Sequence, residues 1–87
     1  MGHTENRADV ASMAPAQKGV VVGIQGGCGA TQRLDAMGIR PGVALTKLAG
    51  HPFGGPIVVR AGTARIALGF GMAKKIIVEI EAQQEKP

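Results

Sequence analysis

Every apolar run in this chain is short and is cut by glycine, proline or a charged residue. The main ones are Gly19-Val20-Val21-Val22-Gly23-Ile24, Ile57-Val58-Val59, Ile66-Ala67-Leu68 and Ile76-Ile77-Val78. Short runs rich in Val and Ile suit strands, and none approaches the ~20 apolar residues that a membrane span needs. A chain of 87 residues built this way can form one small domain, with a core made by a sheet folding over itself.

Taken in order, residues 1–17 mix Ala, charged and polar residues without a sustained period, and read as a mobile leader. The folded domain is expected over residues 18–81, with 82–87 as a polar tail. Its first strand is Gly19 to Ile24, with Val20, Val22 and Ile24 on one face. Gly26, Gly27 and Gly29 surround Cys28 in a strand-to-helix loop. That loop lacks both GxxxxGK[ST] and GxGxxG, so it is expected to be a turn and not a phosphate cradle.

The most sequence-specific passage follows, Arg33 to Gly42, RLDAMGIRPG. Leu34 and Met37 fall on one helix face, Thr31 is placed to cap the helix, and Gly38 sits where a helix end wants positive φ. Ile39 is an apolar anchor, and Arg40-Pro41-Gly42 suits a type II turn. Val43 to Ala49 is the second strand. Val43 and Leu45 share a face and Leu48 falls on the other, which predicts a bulge or sharp bend. A loop from Gly50 to Pro56 carries Phe53 at its tip.

Strand three is Ile57 to Arg60, with Ile57 and Val59 inward and Arg60 outward. A reversal at Ala61-Gly62-Thr63 leads into Ala64 to Leu68, with Ile66 and Leu68 inward and Arg65 outward, giving an antiparallel hairpin. One helical turn fits between Gly69 and Lys75, and Ile76, Val78 and Ile80 alternate in the last strand. The expected fold is mainly β: a small SH3-like, partly open, five-stranded antiparallel barrel, with one helix after the first strand and a short helical turn before the last.

Composition narrows the function. One cysteine excludes an internal disulfide, and with no visible signal peptide the expected compartment is the cytoplasm. The net charge of +4 lies in the domain: residues 18–81 carry eight basic and three acidic side chains. With no Trp, no Tyr and only Phe53 and Phe70, there is little for bases to stack on, so the cations read as a solvated outer face and no nucleic acid is expected. Asp35, Glu79, Glu81 and two histidines form no recognisable acid-base or nucleophile set, and no enzyme activity is expected. His51 and Cys28 are weak metal candidates, and His3 reads as incidental. Their spacing does not support iron or zinc, and no cofactor is expected.

RLDAMGIRPG, HPFGGPIVV, ARIAL and AKKIIVEI together resemble the FeoA family from about Lys18 to Glu81. Leu34, Met37, Gly38, Ile39, Pro41 and Gly42 match the family's helix-turn signature, and Gly55 and Pro56 lead into the matching hairpin. The resemblance implies an SH3-like fold and an accessory or regulatory role in ferrous iron uptake, through contact with the cytoplasmic region of the membrane transporter FeoB. Alternatives are a metal-binding or metal-sensing domain and a basic nucleic-acid-binding barrel. Gly69-Phe70-Gly71 departs from the family pattern. The surface expected to meet the partner comprises Arg33, Asp35, Arg40, Phe53 and Phe70. An open sheet edge also makes self-association an expectation.

Overall fold

In the computed structural model, residues 6–50 and 55–81 are described. The elements are β1 (Arg7–Asp9), a 3-10 turn (Val10–Ser12), β2 (Lys18–Ile24), α1 (Gly27–Ala36), β3 (Ala44–Ala49), β4 (Ile57–Ala61), β5 (Ala64–Leu68), α2 (Phe70–Ala73) and β6 (Ile76–Ile80). The strands form one antiparallel sheet in the order β1-β6-β2-β3-β4-β5. It is open, because β1 and β5 lie at its two ends. One face encloses the core, where Val10, Val21, Leu34, Ile39, Leu45, Ile57, Val59, Ile76 and Val78 are fully buried.

The sheet has six strands where five were expected, and the extra one lies in the expected leader. Arg7 pairs with Glu79 and Asp9 with Ile77, while the Ile80 N–H donates to the Asn6 carbonyl at 2.8 Å. Val10 and Met13 then enter the core at 0% and 3% exposure. The Asp9 carboxylate caps the turn between them by accepting from the Ser12 N–H at 2.9 Å. Three strand residues are too few for an alternation to show, so polar composition alone suggested a tail. The folded unit therefore begins well before Lys18.

In β2 the buried valine is Val21, on the face opposite Val20 and Val22. Val21 is 1% exposed and Val22 is 36% exposed. An added Cβ at Gly19 would lie 3.1 Å from both the Glu79 carbonyl oxygen and the Val78 Cβ. The phase of the strand is thus set by a glycine that lets β6 come close, which three consecutive valines cannot reveal. A register shift between Val21 and Gly23 then brings Ile24 back against the core. The bulge expected in β3 is present, with a shift between Lys47 and Ala49.

α1 starts earlier than a cap at Thr31 would allow. Gly26 is its left-handed N-cap, and Thr31 lies inside the helix with its hydroxyl donating to the Gly27 carbonyl at 2.9 Å. The helix stop follows the sequence closely. Gly38 has φ +89°, its N–H donates to the Asp35 carbonyl, and the Ile39 N–H donates to the Leu34 carbonyl at 2.8 Å, a Schellman arrangement. Leu34 and Ile39 are both fully buried, but Met37 is 39% exposed and does not join them. Arg40 to Val43 closes by a 3.1 Å bond with Gly42 at φ +98°, as a type II turn requires.

Candidate functional site

β3 runs Leu45, Lys47 on its inward phase, so the strand carries a lysine to a core position. Lys47 is 4% exposed. Its ammonium donates to the Ala11 carbonyl at 3.0 Å and the Met13 carbonyl at 2.7 Å, tying down the segment after β1. The backbone repeats the tie: the Ala16 N–H donates to the Lys47 carbonyl at 2.7 Å, and the Lys47 N–H donates to the Gln17 carbonyl at 3.0 Å. Burial draws the Lys47 pKa below its ordinary value, and the nearby Asp9 carboxylate opposes that shift.

An open groove of about 620 Å³ lies over this clamp, lined by Asp9, Ser12, Met13, Lys47, Phe70 and Lys74 among others. Phe70 is half-buried, packs on the core and carries the Lys74 ammonium 5.7 Å from its ring centroid. A second groove of about 320 Å³ lies between α1 and the α2 end, lined by Gly26, Gly29, Ala30, Arg33, Met72 and Lys75. The four residues of α2 stand between the two. Its Gly69-Phe70-Gly71 start, which departs from the expected pattern, still forms the turn that offers Phe70 to one side and Met72 to the other.

The expected partner surface is accordingly divided. Asp35 and Arg40 form an exposed ion pair at 2.9 Å beyond the end of α1. Exposed pairs of this kind contribute roughly 0–1 kcal/mol, so its use is orientation of the turn more than stability. Arg33 lies in the second groove and Phe70 in the first. Pro41 and Gly42 are exposed in their turn, and Gly55 and Pro56 are exposed ahead of β4, with Gly55 at φ +88°. Phe53, His51 and His3 lie outside the described residues.

Lys47 was missed by sequence reasoning, although the phase Val43, Leu45, Lys47 carried the signal. A cation in register with two apolar inward residues calls for a buried acceptor. Chemically, these grooves offer cations, an aromatic face and backbone carbonyls. Among the described residues, no group of three or more His, Cys, Asp or Glu side chains is placed to hold a metal, and Cys28 is exposed in the first turn of α1. No described helix is long and apolar enough to cross a membrane.

The FeoA domain model matches residues 9–80, from the end of β1 through β6. A candidate Fe(2+) transport protein A of Methanocaldococcus jannaschii is 42% identical over 60 residues, covering 69% of this chain and 71% of that protein. The crystal structure of an iron uptake regulatory protein, FeoA, superposes with a TM-score of 0.82 at 39% identity, covering 86% of this chain and 99% of that one. Stenotrophomonas maltophilia FeoA, an SH3 domain protein solved with zinc, gives a TM-score of 0.71 at 27% identity, covering 82% and 88%.

Proposed function

The chain belongs to the FeoA domain family, proteins of ferrous iron transport, and from that premise we propose that it is a cytoplasmic accessory protein that acts by binding the cytoplasmic region of a FeoB-type transporter. The observation that carries this reading is the extent of the family match, which takes in all but the first strand residues of the described fold. The role is one of binding, not catalysis. Its described surface offers two open grooves beside α2, with cations and an aromatic face, and a sheet with unpaired edges. S. maltophilia FeoA, described as a candidate activating factor for ferrous iron transport, supports the same direction.

Association is measured by titrating the full chain with the purified cytoplasmic region of a FeoB-type transporter, with and without guanine nucleotide. A saturable complex is expected. No binding in either state would remove the direct-partner reading.

A second reading, a domain that itself holds a transition metal, is favoured by one observation, the zinc found with S. maltophilia FeoA. Calorimetry with ferrous iron and with zinc checks it. On the first reading neither metal binds tightly; a tight one-to-one site lost in His51→Ala or Cys28→Ala would favour the second.

A further inference from the structure

The outer face of the sheet carries a row of cations in which Arg60 and Arg65 have no ion-pair partner among the described residues. Lys18 lies opposite Thr46, Thr46 opposite Arg60, and Arg60 opposite Arg65, so one line of side chains crosses β2, β3, β4 and β5. All four point outward, because their neighbours Gly19, Leu45, Val59 and Ile66 take the inward phase. Lys18, Arg60 and Arg65 are exposed and Thr46 is half-buried. Directly opposite side chains in an antiparallel pair have Cβ atoms about 4.5–5.5 Å apart, and like charges there repel. The Arg60–Arg65 pair is therefore unfavourable as it stands, and among the described residues neither arginine takes part in an ion pair.

The two ends of the row differ. Glu81 lies beside Lys18, where its N–H donates to the Lys18 carbonyl at 2.9 Å. Arg65 ends the row on β5, which among the described residues has a sheet neighbour on one side only. Gly62-Thr63 is a two-residue reversal between the paired Ala61 and Ala64, with Gly62 at φ +65°. Ladder bonds to β4 then fall at Ala64, Ile66 and Leu68, and the backbone N–H and C=O groups of Arg65 and Ala67 face away from it. Ala64 and Ala67 are small and exposed, so their side chains leave that edge open.

We infer that β5 is a docking edge for an extended acidic segment of a protein partner, which adds a strand beside β5 and sets a carboxylate against Arg65 and Arg60. This deepens the partner-binding reading above and rests on it. Main-chain bonds to Arg65 and Ala67 supply the strand addition, and the arginine forks select an acidic sequence. A second copy of the chain is disfavoured at the same edge, since its β5 would add arginines to a row already in excess. A lipid surface would use the charge and leave the edge amides unpaired.

The test uses the full chain, the cytoplasmic region of a FeoB-type transporter, and phosphatidylglycerol vesicles. The variants are Arg60→Glu/Arg65→Glu, Ala67→Pro and, as a charge control at the opposite end of the sheet, Arg7→Gln. Proline at an outward-facing edge amide is compatible with the hairpin, and a thermal melt checks that each variant folds. Expected are a loss of at least about tenfold in affinity for both β5 variants, little change for Arg7→Gln, and slowed amide exchange at Arg65 and Ala67 in the wild-type complex.

If the transporter region binds and the β5 variants bind like wild type, the docking edge is wrong and the partner reading stands. If the wild type does not bind at all, both fall. Binding lost in the double arginine variant but kept in Ala67→Pro, with no amide protection, would replace strand addition by a charge contact. Vesicle binding lost in the double variant, without transporter binding, would assign the row to a membrane surface.

Discussion

Lys47 is the residue on which the N-terminal part of the fold depends. Its ammonium satisfies two carbonyls with little exposure to water, and the apolar part of its side chain lies beside Ile57. Lys47→Met keeps the volume and removes both donors. A loss of about 2 kcal/mol is expected in denaturant unfolding, with faster amide exchange over residues 10–17. The pH dependence has a defined sign. Burial lowers the pKa in the fold, so between that value and the ordinary 10.5 the unfolded chain binds more protons, and stability rises with pH across the window. The neutral amine still has two N–H groups for the two carbonyls. The slope should be present in wild type and absent in Lys47→Met; the same slope in both would assign it to another group. Gly50 protects the clamp from the other side, since an added Cβ would lie 2.9 Å from the Lys47 Cε and 3.2 Å from the Ile57 Cγ1. Gly50→Ala is expected to cost about 1–3 kcal/mol by crowding a side chain that is pinned at its tip.

Among the elements, the α1 stop was the most legible in sequence and β1 the least. Gly38, Ile39 and Arg40-Pro41-Gly42 each have a residue-specific backbone demand, so glycine and proline name their own positions. Gly38→Ala should cost about 1 kcal/mol or more, read as a lowered melting temperature, because alanine at φ +89° is strained. The start of α1 was not legible, since glycines at Gly26, Gly27 and Gly29 argue against a helix that tertiary packing nonetheless imposes through buried Ala30 and Leu34. The hairpin β4–β5 and strand β6 followed their alternation, because a charged residue marks the outward phase in each. In β2 no such marker interrupts the valines, so the alternation alone does not say which face is inward. At the site, Arg33 and Phe70 were named from sequence, yet only the fold shows that α2 separates the grooves they line. β1 is the element whose removal is most informative. A chain starting at Lys18 loses Val10 and Met13 from the core, on the order of 3–5 kcal/mol, a large share of the 5–15 kcal/mol that a domain usually has. It should unfold at markedly lower denaturant. A truncated chain with unchanged stability would return this segment to the role of a tail.

For the molecule as a whole, the sheet is a single layer rolled around a small core, with its charge on the outside and its two ends open. The excess of cations belongs to that outer surface, where salt screens it within about 10 Å at 0.1 M ionic strength. Association with an acidic partner should therefore weaken as salt is raised from 0.05 to about 0.3 M, mainly through a slower on-rate. A salt-independent affinity would place the contact in the apolar parts of the grooves. The order of the strands has a further consequence for how the chain is made. β1 leaves the ribosome well before β6, yet among the described residues its one sheet partner is β6, with Arg7 opposite Glu79. The β1 segment must wait for β6 to be synthesised before it can dock. Until then Val10 and Met13 have no complete core to enter, so this small domain closes as one late event, when β1 meets β6.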